Sequence, residues 1–260
     1  MSISNKTIDT DDIRAVPELL REMRFTAMAK SLESMINDPA SNIFVIQKEI
    51  TRLVLAEYNS RATNKINKFI KKANLKIPCA DIQDLYEKAS IKIKREMNNS
   101  LLEELCRSKW IQNKNNLIIT GGTGTGKTWI ACAIAVCACE KFMNVRYYSI
   151  YDLILKMKTL NPAEYLTALT EIRKLDLLIL DEIGHMPYDL ESCRVFFEIL
   201  DTRYKCGSTM LISNFTTQEW YELFSDVSYA EATLSRCLER AYRFPIDGED
   251  LRKNKELMSL

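Results

Sequence analysis

Glycine is scarce in this chain, with seven in 260 residues, and histidine is scarcer, with His185 alone. The eight cysteines, at positions 79, 106, 132, 137, 139, 193, 206 and 237, include no C-x-x-C pair. A zinc site therefore has no ligand set to draw on. His185 reads as a loop residue with no assigned role. Cys132, Cys137 and Cys139 stand among alanines and isoleucines, where cysteine acts as a small apolar residue. Free thiols in this number fit a reducing compartment. Long apolar runs are missing too. The longest, Trp129 to Cys139, holds 11 residues, against about 20 for a membrane span. The opening MSISNKTIDTDD lacks the apolar stretch of a signal peptide. No internal repeat or low-complexity linker occurs. These absences give the expectation of a cytoplasmic protein with no membrane partner.

Hydrophobic residues make up 47% of the chain, enough for a packed core. The net charge of +1 is unevenly spread: residues 1–112 carry 19 Lys and Arg against 15 Asp and Glu, and residues 113–260 carry 17 against 20. A mildly basic front points toward a polyanion.

The few glycines are concentrated. Gly121, Gly122, Gly124 and Gly126 fall in NLIITGGTGTGKTWIACAIA, at the spacing G-x-x-x-x-G-K-T. A buried-strand run, Leu117 to Ile119, precedes them, and an apolar helix follows Thr128. Strand, glycine turn and helix start leave backbone amides unpaired around one point, backed by the helix dipole. That is a phosphate cradle, formed by Gly121, Gly122, Thr123, Gly124, Thr125 and Gly126. Lys127 would reach the β- and γ-phosphates of ATP, and the Thr128 hydroxyl would ligate Mg²⁺.

Helical spacing dominates the front. Apolar positions recur from Arg14 to Ile36, NDPAS breaks the pattern, a long helix runs from near Phe44 to Ala73, and a third covers about 81–111. No strand signal precedes Leu117. Behind it, strand-like runs at 116–120, 145–149, 176–181, 208–213 and 243–246 alternate with helices. The expected fold is α/β, a parallel sheet covered on both faces, behind an all-α front. The division is expected near residue 112.

Hydrolysis needs a metal ligand and a base. LLILDEIG places Asp181 and Glu182 at the C-terminal end of a buried strand, where open α/β sheets bind ligands. Asp181 would hold Mg²⁺ through water, and Glu182 would polarise the attacking water. TMLISNF ends the next strand and would bring Asn214 near the γ-phosphate. An arginine usually neutralises the charge that develops there. LSRCLERAYRF offers Arg236, Arg240 and Arg243, and composition does not choose among them.

SRATNKINKFIKKANLK, residues 60–76, has six basic residues and no acid. Arg61, Lys65, Lys68 and Lys72 share one helical face, and Ala62, Ile66, Phe69 and Ala73 repeat the spacing one residue on. One side packs; the other presents cations spaced for the phosphates of duplex DNA.

Taken together, LLREMRFTAMAKSLESM, the glycine loop, LDLLILDEIG, ISNFTTQEW and ATLSRCLERAYRFPIDGEDLRK resemble the IstB-like ATPases, from about residue 14 to residue 255. These are AAA+ helper proteins encoded beside the IstA transposase of an insertion sequence, and they are similar to DnaC-type helicase loaders. The resemblance implies a RecA-like AAA+ core with an absent or minimal C-terminal lid. It implies assembly into a homo-oligomer on duplex target DNA and stimulation of an IstA-type transposase. It also implies residue roles: Arg236 as the arginine finger for a neighbouring subunit's ATP, Asn214 as the first sensor, and Arg252 as a second sensor touching the γ-phosphate. A replicative helicase loader shares these ATPase residues and is the alternative. A small-molecule kinase on the same loop is the third reading, disfavoured by the paired Asp181 and Glu182.

Overall fold

A computed structural model describes residues 13–37, 43–84 and 95–251. The chain divides into two compact units, one ending at Lys68 and the other beginning at Phe69.

In the first unit, helices α1 (Val16–Glu22), α2 (Thr26–Ile36) and the front part of α3 (Ile43–Ala73) enclose a small core. Val16, Leu19, Leu20, Ala29, Leu32, Val54 and Tyr58 are buried there. The first periodic stretch is thus two helices, because the chain turns at Arg24, whose φ is +67°. Helical spacing continues across such a turn, so the pattern alone shows one helix.

The second unit holds a six-stranded sheet. Its strands are β1 (Arg95–Glu96), β2 (Asn116–Gly121), β3 (Val145–Ser149), β4 (Leu177–Ile183), β5 (Ser208–Ser213) and β6 (Ala241–Gly248), in the order β1-β6-β2-β5-β4-β3. Strands β2 to β6 pair in parallel, and β1 joins β6 antiparallel. The two-residue β1 is a strand where sequence reading found none, since such a pair carries no pattern of its own. Helices between the strands are α6 (Lys127–Glu140), α7 (Ile150–Lys158), α8 (Pro162–Arg173), α9 (Leu190–Arg203) and α10 (Val227–Leu238).

Burial on both faces explains the unbroken apolar strands. Leu117, Ile119, Leu177, Ile179, Met210 and Ile212 face one core. Ile118, Leu178, Leu180 and Leu211 face the other. The first core also takes in α6, and with it Ala73, Leu75, Leu102, Leu105, Trp110 and Ile111. The described residues among 69–112, expected with the helical front, therefore pack with the sheet. They include α4 (Asn99–Cys106) and α5 (Lys109–Gln112). Helical periodicity announces a buried stripe but not what buries it. Phe69 is a case: its ring meets Phe142 edge-on at 5.9 Å, in the sheet unit's core rather than the front's.

Arg203 is a buried polar knot, 1% exposed. Its guanidinium donates to the carbonyls of Ile172, Leu175 and Ser208 and to Thr209 Oγ1. It thereby ties the end of α8 to the starts of β4 and β5. The expected absent or minimal lid concerns the chain after β6, of which 252–260 lie outside the described residues. Among the described residues no helix is long and apolar enough to cross a membrane.

Candidate functional site

The glycine loop leaves β2 at Gly121 and enters α6 at Lys127. Gly126 caps the helix with φ +91° and Gly124 has φ +81°, left-handed values that cost a residue with a side chain. Gly124 is also crowded, because a Cβ there would lie 1.7 Å from Asp250 Oδ1. The chain returns to the loop at that point, and Leu251 N–H donates to the Gly124 carbonyl at 3.0 Å. Lys127 is 7% exposed, and its ammonium donates to the carbonyls of Gly121 and Gly122 at 2.8 and 2.6 Å.

β4 ends beside this loop. Its register with β5 slips between Leu180 and Ile183, so Asp181 and Glu182 sit in a bulge. Bulges re-aim side chains next to sites. Glu182 takes φ +66°, a strained value for a side-chain-bearing residue. Asp181 is buried and fully engaged. Its Oδ2 accepts from Thr128 Oγ1 and from the Tyr147 phenol, both at 2.7 Å, and its Oδ1 accepts from Glu182 N–H at 2.7 Å. Burial, with Asp181 next to it, pushes the Tyr147 phenol up and keeps it a donor. Two hard oxygens, from Thr128 and Asp181, thus stand together under the loop, a donor set that fits Mg²⁺.

Glu182 Oε1 accepts from Lys76 Nζ at 2.8 Å. That bond holds the Glu182 carboxyl below its ordinary range and holds the Lys76 ammonium above its own. Asn214 directly follows β5, is exposed, and stands at the same sheet edge. Ser213 locks this edge: its hydroxyl donates to Ile183 O at 2.7 Å and accepts from Trp220 Nε1 at 3.0 Å.

Arg236 is elsewhere. It lies on α10, and its backbone carbonyl accepts from Asn116 Nδ2 at 2.9 Å. Asn116 opens β2, whereas the glycine loop begins at Gly121, five residues on. At about 3.3 Å per residue the two are about 16 Å apart along the strand. Arg236 therefore belongs to the opposite edge of the sheet. Its Nε donates to Asp201 Oδ1 at 3.0 Å, and its guanidinium lies 4.7 Å from the Tyr204 ring centre. It lines a cavity of about 300 Å³ with Lys114, Arg203, Tyr204, Lys205 and Arg240. Arg243, on β6 opposite Ile118, is exposed. Arg252 lies outside the described residues.

The basic face is unequal. Arg61 is spent within the first unit: it pairs with Glu57 at 2.7 Å, donates to Met23 O at 3.1 Å, and stacks over Phe25 at 4.7 Å. Lys65 is half-buried, and Lys68 and Lys72 are exposed. Ala62 and Ala73 are buried, as the alternating faces require.

Sequence reading missed Lys76, Tyr147, Ser213 and Tyr204. Only Lys76 left a trace, as the last cation of the basic segment. Tyr147 and Ser213 hold ordinary strand positions and Tyr204 follows a helix end, with no spacing to mark them.

A parallel sheet with a phosphate loop after its first long strand, and Asp-Glu at the edge of a strand once removed, defines a RecA-like P-loop protein of the AAA+ class. DnaI, among solved structures, shares this fold at a TM-score of 0.50 and 19% identity, over 69% of this chain and 92% of that one. The family described as IstB-like ATP binding protein matches residues 18–259, and the chain belongs to it. An insertion sequence ATP-binding protein of Sinorhizobium fredii (strain NBRC 101917 / NGR234) is 29% identical, over 92% of this chain and 94% of that protein. The insertion sequence IS21 ATP-binding protein of Pseudomonas aeruginosa is 27% identical, over 90% and 87%.

Proposed function

We propose that this chain is a Mg²⁺-dependent ATPase that assembles as a homo-oligomer on duplex DNA and stimulates a partner transposase. The observation that carries the reading is the Thr128–Asp181 contact of 2.7 Å beneath the glycine loop, with Glu182 re-aimed beside it. The loop amides and Lys127 would bind the phosphates. Thr128 and Asp181 would hold Mg²⁺, which supplies charge neutralisation at the terminal phosphate. Glu182 would take the proton of the attacking water, with Asn214 orienting that water. Arg236 would serve a neighbouring copy, since its own loop lies across the sheet. Arg252 remains part of this proposal as a γ-phosphate contact. The relatives' insertion-sequence setting supports the transposase partner.

Lys65, Lys68 and Lys72 carry the proposed DNA contacts, and Arg61 is assigned to holding α3 against the α1–α2 turn. Each phosphate contact lowers the log–log salt slope of binding by about 0.9. Filter binding of duplex at several salt concentrations tests this. Replacing Lys65, Lys68 and Lys72 together with Ala should flatten the slope by about one unit per lost contact, on all sequences alike. A folded triple variant with unchanged affinity and slope places the DNA site elsewhere. Co-precipitation with an IstA-type transposase, set against co-precipitation with a hexameric replicative helicase, tests the partner. Capture of the helicase alone makes the chain a helicase loader instead.

A further inference from the structure

The six cations of residues 60–76 do not share one job. Lys76, the last, turns to the sheet edge and reaches Glu182 at 2.8 Å. Its backbone is fixed there. Leu75 is buried in the core that includes α6, and the amides of Lys76 and Ile77 face the Cys132 sulfur on that helix. Its side chain, by contrast, is 51% exposed, and the Glu182 side chain is 35% exposed. The pair is open to competitors.

We propose that Lys76 is a positioning residue that restrains the Glu182 carboxylate, and that a phosphate of bound duplex DNA releases it by taking the Lys76 ammonium. The inference rests on the reading of Glu182 as the base and α3 as the DNA-binding helix. A carboxylate oxygen bonded to an ammonium is not free to accept a proton from water. Glu182 reaches this partner from a strained backbone position, so Lys76, the bulge and a hydrogen bond from the Ser149 side chain together set where the carboxylate points, Lys76 being the stronger of the two side-chain partners. Lys76 lies three residues past the end of α3 and four past Lys72. Four residues span at most about 14 Å, so a strand of DNA held at Lys72 brings its neighbouring phosphates within reach of Lys76. A phosphate competes for an ammonium on the same terms as a carboxylate. Exchange is easy because a partly exposed ion pair is held weakly. The basic segment would then do two things at once: bind the polyanion and report its arrival to the hydrolytic carboxylate.

The test compares wild type with Lys76→Ala, Lys76→Arg and Glu182→Gln. Without DNA, Lys76→Ala should hydrolyse ATP faster than wild type by about two- to five-fold, the range set by a partly exposed pair. Added duplex should stimulate it little further. Lys76→Arg keeps a cation at the carboxylate and should keep the low DNA-free rate and the stimulation. A readout that needs no turnover is acetic anhydride labelling of lysines, read by mass spectrometry. Lys76 should label faster in Glu182→Gln than in wild type, while Lys71 should not change. A DNA-free rate that stays level or falls in Lys76→Ala overturns the proposal, whatever the labelling shows. So does equal Lys76 labelling in wild type and Glu182→Gln, or wild-type hydrolysis indifferent to duplex. Full hydrolysis by Glu182→Gln sinks the base assignment itself, and so separates the two failures.

Discussion

The two edges of the parallel sheet carry opposite chemistry. At the C-terminal edge stand the glycine loop, Thr128, Asp181, Glu182 and Asn214: amides, oxygens and a carboxylate gathered around a phosphate cradle. At the N-terminal edge stand Lys114, Lys205, Arg236 and Arg240, four cations around a cavity that Tyr204 and Glu239 also line. β2 joins them, touching Arg236 through Asn116 and opening the loop at Gly121. The strand is a rigid spacer, and nothing in the fold can shorten it. An arginine fixed at one edge cannot neutralise a phosphate at the other within one subunit. On the proposed function, each subunit would carry halves of two different sites, and a neighbouring copy stacked edge to edge would complete them.

The largest expected effect separates the halves directly. Arg236→Ala should keep ATP affinity and lose about 10³–10⁵ in hydrolysis rate, the usual worth of an arginine finger. Mixing it with Lys127→Ala protein should restore part of the activity, because each variant is intact at the edge the other lacks. No restoration in mixtures shown to co-assemble would break the comparison.

Glu182→Gln probes the other edge. It should lose about 10²–10⁴ in rate, the worth of a general base, yet still bind ATP in a nucleotide titration, since Thr128 and Asp181 are untouched. Mixing with Arg236→Ala should rescue it less than Arg236→Ala is rescued by Lys127→Ala only if the base also matters to assembly. Equal rescue keeps the two edges independent.

A third test concerns the buried frame beneath the N-terminal edge. Arg203→Ala removes the buried guanidinium that ties α8, β4 and β5, and takes a donor from the carbonyls of Ile172, Leu175 and Ser208. Stability should fall by roughly 3 kcal/mol, read in a urea titration. A midpoint close to wild type means that the strand starts hold without it.

The smallest effect refines the cationic edge. Tyr204→Leu removes the ring beneath Arg236, an interaction worth about 0.5–1 kcal/mol at an exposed site. Hydrolysis should drop by about two- to five-fold with ATP affinity unchanged. A drop in affinity instead would show that Tyr204 serves its own subunit's loop.

Several of these residues are legible in the chain without its fold. The phosphate loop is a run of local backbone geometry, so its glycines and Lys127 appear as spacing. The central strands β2, β4 and β5 appear as apolar runs because both faces of each are buried. Asp181 and Glu182 stand out because charge interrupts such a run. Other features left no local mark. The bulge at Asp181–Glu182 is a mismatch between two strands, and neither strand carries it alone. The packing of Phe69, Ala73, Leu75, Leu102 and Leu105 in one core with α6 left no mark because a helix stripe looks the same whatever covers it. Arg61 and Lys68 fall on one periodic face, yet one is consumed by Glu57, Met23 and Phe25 and the other is exposed.

The sequence by itself determined the phosphate loop, the alternation of strands and helices, and the acid pair that closes β4. Each depends on neighbours a few residues away, and short-range backbone geometry obeys the local sequence. Tertiary structure alone decided which residue each of these meets. It placed Lys76 on Glu182, Tyr147 and Thr128 on Asp181, and Arg236 across the sheet from its own loop. Those meetings join residues 34 to 120 positions apart. Their partners are chosen by strand order and by which face is buried, quantities that no stretch of sequence holds alone.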